Sequence, residues 1–143
     1  MAINAIAPFV LNSRLAPLMR RSGGPGTRRF IVNVSAMEGK FYRSKSVYHP
    51  HTNMAKAALN MMTRTSAEDL RKGGVFMTAV DTGWINDENP LEKAKRYAEA
   101  HAFQTPLDEV DAAARILDPV VHGLASAEPW SGVFLKDYLP TEW

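Results

Sequence analysis

The sequence predicts an α/β fold in which helices flank a parallel sheet. Two short runs of apolar and β-branched residues, 30–34 and 75–80, have the composition of strands buried on both faces. A helical pattern separates them, and further helical patterns and one more apolar run follow. This alternation is the order that right-handed crossovers between parallel strands produce. A chain of 143 residues is enough for one domain, so we take 1–143 as a single unit.

The first helix is predicted over residues 4–19. Phe9 and Leu15 lie on its broad apolar side, and Pro17 lies near its end, where a missing N–H costs least. A glycine-rich stretch, 20–29, then leads into the first strand. A glycine-rich loop can hold phosphate when it joins a strand to a helix, but this one joins a helix to a strand. We therefore predict a surface turn at this position.

The central helix is predicted over 52–72, with Thr52 as its cap and Gly73 and Gly74 at its end. Thr52 and Lys56 stand four residues apart, so they project from one face and can reach the same ligand. Apolar residues recur at steps of three and four on the packed face. These residues are Met54, Ala58, Leu59, Met62 and Leu70.

After the second strand, the chain is predicted to form a loop, two helices, a strand and a tail. In order, these cover residues 81–90, 92–102, 107–124, 132–135 and 136–143. Asp108 falls in the first turn of the second of these helices, where a carboxylate suits the helix dipole. In the tail, Lys136 and Asp137 are interpreted as an ordinary exposed pair.

Composition excludes several classes of site. The chain contains no cysteine, which excludes disulfides, thiolate metal sites and a cysteine nucleophile. Asp87, Glu88 and Glu92 could flank a metal ion, but no histidine lies near them, so we interpret them as a solvated loop and assign no metal.

Charge and hydropathy indicate that two classes of partner, nucleic acids and membranes, are not expected for this chain. Residues 1–50 carry eight Lys or Arg against one acid, but no aromatic platform is interleaved with them, so we predict no nucleic-acid partner. The sequence shows neither a run of membrane-spanning length nor a secretory signal pattern, so we expect a cytoplasmic protein without a membrane partner.

The strand ends indicate where a site would lie. Parallel sheets bind ligands at the carboxyl ends of their strands. The loops at 35–48 and 81–90 and the start of the central helix meet at that edge. Thr52 and Lys56 are therefore expected to face a shared crevice.

Four sequence blocks follow one another in a recognisable order. They are NAIAPF at 4–9, IVNVSA at 31–36, the helix that carries Lys56, and AVDTGWI at 79–85. Together they resemble the C-terminal half of the short-chain dehydrogenase/reductase family, over nearly the whole chain. The resemblance implies a partial doubly wound, Rossmann-like parallel sheet, with the N-terminal half of the family fold absent. It also implies NAD or NADP as cofactor and a small carbonyl or alcohol substrate that gains or loses a hydride.

The resemblance also assigns roles to single residues. Asn4 matches the family asparagine, and Lys56 matches the lysine that holds the nicotinamide ribose and lowers the pKa of the catalytic tyrosine. Thr52 occupies the position of that tyrosine, and Ser35 is the neighbour of the family serine position, which is Ala36 here. The implied catalytic set is Asn4, Ser35, Thr52 and Lys56. The implied cofactor contacts are Asn33, Lys56, Gly83 and Ile85.

Two departures from the family pattern limit these roles. A tyrosine phenol, with a pKa of about 10, can be tuned by an adjacent ammonium, whereas the hydroxyl of Thr52 cannot. The proton would then come from Tyr48, His49 or His51, of which His51 has the best intrinsic pKa. The glycine-rich turn that receives the pyrophosphate belongs to the first half of the family fold, and this sequence lacks it. We therefore expect the chain to bind a dinucleotide weakly or not at all.

Two other interpretations stay open. In family dimers the helices equivalent to those carrying Asn4 and Lys56 commonly meet their copies, so the chain could be a non-catalytic interaction protein that forms a homo-oligomer. Thr52 with Lys56 also resembles the hydroxyl and lysine pair of Ser–Lys hydrolases. In either case the strand at 30–34 would have an open edge that must be covered or paired.

Overall fold

The structure is a computed structural model that describes residues 1–42, 44–85 and 105–143, together with positions 92, 96, 99 and 100. These residues form a four-stranded sheet with helices on both faces. The helices are α1 (Ala7–Arg21), α2 (Pro50–Lys72) and α3 (Glu109–Ala125), and the strands are β1 (Arg29–Ser35), β2 (Val75–Asp81), β3 (Phe134–Lys136) and β4 (Leu139–Thr141). A π-helical turn, Ala2–Ile6, precedes α1, and a 3-10 turn, Met37–Gly39, follows β1. The helix predicted at 92–102 lies mostly outside the described residues.

The sheet has the order β1-β2-β3-β4, and its first three strands are parallel, which confirms the predicted fold class. β1 and β2 pair along their whole length, with Arg29 opposite Val75 and Ser35 opposite Asp81. β4 runs antiparallel to β3 and lies within the segment predicted to be a tail. Asp137 and Tyr138, with φ of 48° and 68°, form the two-residue turn between these strands. That turn lacks the Asn-Gly or Asp-Gly signature, so the sequence did not indicate a hairpin.

One face of the sheet is covered by α1 and α2. Its core consists of apolar side chains from α2 and β2, with residues of α1 and β1 at the margin. These are Ala67, Leu70, Val75 and Met77, and then Ala16, Met19 and Ile31. β2 is buried along most of its length, which confirms the prediction made from its apolar composition. The same prediction was wrong for β1, which is mostly half-buried and whose fully buried residues are the polar Asn33 and Ser35.

The opposite face of the sheet is covered by α3. Successive strand residues point to opposite faces, so Phe30 and Phe76 point away from the core described above and towards α3. Their rings lie 5.9 Å apart. A Cβ atom added at Gly123 of α3 would lie 2.3 Å from Cε1 of Phe30, so a glycine is needed for this close approach.

Two helices begin at residues other than the predicted ones, because the groups that cap them differ from those expected. α2 begins at Pro50 because the first helical position needs no N–H, and His49 precedes it with φ of 57°. The His49 carbonyl accepts the N–H groups of Thr52 and Asn53 at 3.1 Å, so Thr52 lies inside the first turn and the prediction that it caps the helix was wrong. Asp108 caps α3 through a capping box, and the helix begins one residue after it.

β1 forms one edge of the sheet. Within the described residues, no strand pairs with its outer side. The neighbouring helix α1 has no buried residue, and Phe9 and Leu15 are 61% and 47% exposed. Apolar side chains are therefore exposed on α1. In the described part of the chain, no helix has both the length and the apolar character needed to cross a membrane.

Candidate active site

Lys56 lies in the second turn of α2, beside the carboxyl end of β1. Its Nζ donates a hydrogen bond of 3.0 Å to the carbonyl of Val34, one residue before that strand ends. The side chain remains partly exposed. The ammonium is therefore at the edge of the parallel sheet where ligands of α/β folds bind.

Asn4 and Asn33 share a cleft with Lys56. The cleft has a volume of about 270 Å³ and runs along β1. Its lining is apolar apart from three amides and the ammonium, a mixture that is typical of small-molecule sites. The remaining lining residues are Ile3, Pro8, Leu11, Asn12, Val32, Val34 and Leu59.

The side chain of Asn33 links three elements. Its Oδ1 accepts from Nδ2 of Asn12 in α1 at 3.2 Å, and its Nδ2 donates to Oγ1 of Thr63 in α2 at 2.9 Å. The Thr63 hydroxyl donates onwards to the Leu59 carbonyl at 3.0 Å. Asn33 is 7% exposed, so this network joins both helices to β1 in a buried setting. They use one lone pair of Oδ1 and one N–H of Nδ2, and Asn33 also lines the cleft, so its contact with the cofactor stays a prediction of the family resemblance.

Ser35 and Thr52 lie outside the cleft lining. Ser35 is 3% exposed, and its hydroxyl donates to Oδ1 of Asn60 in α2, which turns it away from the cleft. Ala36, at the family serine position, cannot take its place as a hydroxyl donor. Thr52 is half-buried one turn before Lys56, at the predicted spacing.

The loop after β2 is fixed by a buried carboxylate. Asp81 is 6% exposed, and its Oδ1 accepts the N–H of Gly83 at 3.0 Å. Its Oδ2 lies 3.3 Å from Nζ of Lys136 at the end of β3. Gly83 has φ of 77°, a conformation that favours glycine. Ile85 follows it, and the Ile85 carbonyl accepts from Oγ1 of Thr105 at 3.3 Å.

Sequence reasoning missed Asp81 and Lys136 as site residues. Lys136 was interpreted as half of an ordinary exposed pair, but its ammonium joins the buried Asp81 as well as Asp137, which is 3.7 Å away. The signal in the sequence was positional, because each residue ends a strand. Register was needed to place them opposite each other.

Three candidate proton donors lie at the entrance to α2. Tyr48 is 70% exposed, and His49 and His51 are also exposed. Their ring centroids are 6.5 Å apart for Tyr48 and His49 and 6.2 Å apart for His49 and His51. The three rings thus form an accessible group five to eight residues before Lys56 in the sequence.

Comparison with protein families settles what kind of chain this is. A family model described as enoyl-(acyl carrier protein) reductase matches residues 1–130. The chain belongs to the short-chain dehydrogenase/reductase family. This membership agrees with the resemblance found in the four sequence blocks.

Two proteins with similar sequences are much longer than this chain, which matches only part of each. The uncharacterised protein R665 of Acanthamoeba polyphaga mimivirus is 33% identical over 124 residues, which cover 82% of this chain and 25% of R665. The uncharacterised oxidoreductase YxbG of Bacillus subtilis (strain 168) is 28% identical over 116 residues, 74% of this chain and 39% of YxbG. The chain thus spans well under half the length of either relative.

Solved structures of this family share the fold. The carbonyl reductase Sniffer of D. melanogaster has a TM-score of 0.66 and 18% identity, and the NADPH-bound carbonyl reductase from chicken fatty liver has a TM-score of 0.61 and 21% identity. Each match covers 98% of this chain and 54% of the solved chain. The Rossmann-like architecture is therefore that of about half of a short-chain dehydrogenase/reductase.

Proposed function

We propose that this chain supplies the lysine-bearing half of an NAD(P)-dependent oxidoreductase that moves a hydride to or from a carbonyl or alcohol. The observation that carries the proposal is the cleft in which Lys56 and Asn4 meet at the carboxyl end of β1. An ammonium with three donors suits the hydroxyls of a nicotinamide ribose. The NADPH-bound chicken carbonyl reductase shares the fold and supports the choice of cofactor.

The residues present fit only the nicotinamide end of such a cofactor. Lys56 would hold the ribose, and the loop from Gly83 to Ile85 would contact the nicotinamide amide. The sequence contains no glycine-rich turn between a strand and a helix to receive the pyrophosphate. We propose that a strand–glycine–helix unit placed against the open edge of β1 completes the site. We also propose a cytoplasmic location for this reaction, with which a chain without cysteine is compatible.

The chain's own groups would prepare the substrate for reaction. The bound cofactor supplies or accepts the hydride. Thr52 would donate a hydrogen bond to the substrate carbonyl oxygen, which polarises it. The hydroxyl of Thr52 is too weak an acid to give up its proton near neutral pH, so His51 would exchange the proton with the substrate oxygen. Lys56 would orient the ribose relative to that oxygen.

A titration with NADH and with NADPH tests the proposal. Nucleotide fluorescence and thermal unfolding of the purified chain should both respond weakly and saturably. Lys56→Ala should remove the part of the response that arises at the Lys56 cleft and leave the fold intact, because the ammonium is at an accessible edge. Lys45→Ala is the matched control, since Lys45 is exposed and lies outside the cleft lining. Unchanged nucleotide affinity in Lys56→Ala would remove Lys56 from the site.

A second candidate function is supported by the outer surface of α1 and α2. A groove of about 510 Å³ lies between them, lined in part by Phe9, Pro17 and Met62. Exposed apolar residues continue along α1. We propose that, if the chain is not an enzyme, this surface joins two copies into a dimer. No nucleotide response together with a dimer in sedimentation would exclude the enzyme proposal for this chain and support the interaction protein.

A further inference from the structure

A second cleft lies at the amino ends of β1 and β2, on the edge of the sheet opposite Lys56. We call it the amino-edge cleft. It has a volume of about 640 Å³ and is formed by the glycine-rich loop 23–27 together with basic residues. The basic residues are Arg20, Arg28, Arg29 and Lys72. Sequence order alone excluded this loop as a phosphate loop, but the fold brings four cations around it.

Arg28 and Arg29 supply the uncompensated positive charge of the amino-edge cleft, because Asp69 interacts electrostatically with both Arg20 and Lys72. Arg20 pairs with Asp69, which lines a neighbouring groove. Arg28 donates to the carbonyls of Gly123 and Ser126 at 2.6 and 2.5 Å. Bonds to neutral carbonyls hold a guanidinium in place and leave its charge intact. Within the described residues, no carboxylate lies within salt-bridge distance of the other cleft cations.

Arg29 and the loop backbone add fixed donors. Nη1 of Arg29 donates to the Thr27 carbonyl at 2.8 Å, which ties this guanidinium to the loop. Gly23 and Gly26 have φ of 75° and 79°. In the part of the chain that the structure describes, the N–H groups of Gly23, Gly24 and Gly26 donate to no protein acceptor. Successive N–H groups in turns form concave anion sites, and Gly23 and Gly24 supply two such groups before Pro25, which has no N–H.

We propose that the amino-edge cleft binds a small multivalent phosphate anion, such as the diphosphate group of a metabolite. Its basic residues line one concavity at the ends of α1 and α2 and the start of β1, which suits a compact ligand. A nucleic-acid strand would need an extended basic surface with stacking side chains. Of the described residues that line the cleft, one, Phe76, is aromatic. The inference does not depend on the proposed oxidoreductase activity.

The basic residues of the amino-edge cleft could have a structural role and bind no ligand, and an experiment must distinguish the two roles. Basic side chains in the last turns of α1 and α2 also complement the helix dipoles. That role would give no saturable binding. Calorimetric titration with inorganic pyrophosphate at constant ionic strength distinguishes the two, because it needs neither nucleotide nor activity. We expect saturable binding and a rise in melting temperature relative to sodium chloride of equal ionic strength.

Substitutions of two exposed side chains should change the affinity for pyrophosphate in opposite directions. Lys72→Gln should weaken pyrophosphate binding about fivefold to tenfold, because one charged donor is lost. Asp69→Asn should tighten it, because Arg20 is then freed from its only acidic partner among the described residues. Lys45→Gln is the matched control for Lys72→Gln, because it also removes one positive charge but at the opposite edge of the sheet. It should leave the affinity for pyrophosphate unchanged.

Three outcomes would overturn the proposal. The first is the absence of saturable heat with pyrophosphate. The second is an equal loss of affinity in Lys45→Gln and Lys72→Gln, which would indicate general screening. The third is a short oligouridylate that binds more tightly than pyrophosphate, which would indicate a nucleic-acid surface. Because NADH and NADPH also carry a diphosphate, the two proposals are separated by their variants: the part of the nucleotide response that Lys56→Ala removes should be unchanged in Lys72→Gln, and pyrophosphate binding should be unchanged in Lys56→Ala.

Discussion

Lys136 at the end of β3 lies opposite Asp81 at the end of β2, with 3.3 Å between its ammonium and the Asp81 carboxylate. The other oxygen of that carboxylate holds the N–H of Gly83. One buried acid thus ties two parallel strands together and sets the first residues of the loop that would contact the nicotinamide. The loop geometry therefore depends on a residue 53 positions later in the sequence than Gly83, since Lys136 is at position 136 and Gly83 at position 83.

Lys136→Met should destabilise the chain and loosen this loop. The substitution leaves the carboxylate of Asp81, which is 6% exposed, without its cationic partner. A loss of about 1 to 3 kcal/mol in the free energy of unfolding is expected for a buried acceptor left unpaired. Urea unfolding measures the loss, and amide hydrogen exchange at Gly83 should become faster.

A double-mutant cycle separates the ion pair from packing. In an Asp81→Asn background, Lys136→Met should cost much less than it does alone, because no charge remains to be stranded. Lys45→Met, at an exposed lysine, should change the stability little. Equal costs of Lys136→Met in both backgrounds would show that the pair is not coupled.

Thr63→Val tests the buried network around Asn33. Thr63 is fully buried, and Val keeps its shape while removing the hydroxyl that accepts from Asn33 Nδ2. The unpaired amide should lower the free energy of unfolding by about 1 to 3 kcal/mol. Thr65→Val, two residues further along α2 at an exposed position, makes the same chemical change and serves as the control. If the two variants unfold at the same urea concentration, the network does not stabilise the fold.

The fold was predictable from sequence because its main elements carry local signals. The apolar residues of β2 reflect its burial along most of its length, whereas β1 carries a similar apolar run although it is mostly half-buried. The order of the two strands with the helices favours a parallel sheet. Lys56 was predictable for a related reason, since a helix that follows a strand begins at its carboxyl end.

The rest depended on contacts that local patterns do not encode. Ser35 turns towards Asn60, and only the packing of α2 on β1 shows this. Lys40 is 1% exposed, although lysines are usually on the surface, because its ammonium lies 4.1 Å from the Phe134 ring centroid and donates to the Glu142 carbonyl. These two partners are about a hundred residues away in sequence, so a sequence window around Lys40 contains no trace of them. The window contains only the third partner, Tyr42, whose hydroxyl lies 3.2 Å from the ammonium.

Gly83→Ala should strain the loop after β2. Gly83 has φ of 77°, and an added Cβ would lie 2.5 Å from Cδ1 of Leu107. The substitution should lower the free energy of unfolding by more than about 1 kcal/mol. Gly24→Ala is the control, because no atom lies within 4 Å of its Cβ position and its φ is not positive. Equal melting temperatures for the two variants would contradict the geometry of the loop.

Asp69→Asn should reduce the stability of the chain at neutral pH and have less effect in acid. The hydrogen bond and charge of the Arg20 guanidinium lower the pKa of the Asp69 carboxyl below its ordinary value. Because the pKa is lower in the folded chain than in the unfolded one, the pair contributes stability above the ordinary carboxyl pKa of about 3.9, and that contribution is lost as the pH falls through the folded value. Melting temperatures of the wild type and Asp69→Asn, measured from neutral pH downwards, should therefore converge in acid. The Asp69 side chain is 75% exposed, so the difference at neutral pH should also shrink in high salt. A difference that persists unchanged at low pH would mean that packing, and not charge, distinguishes the two proteins.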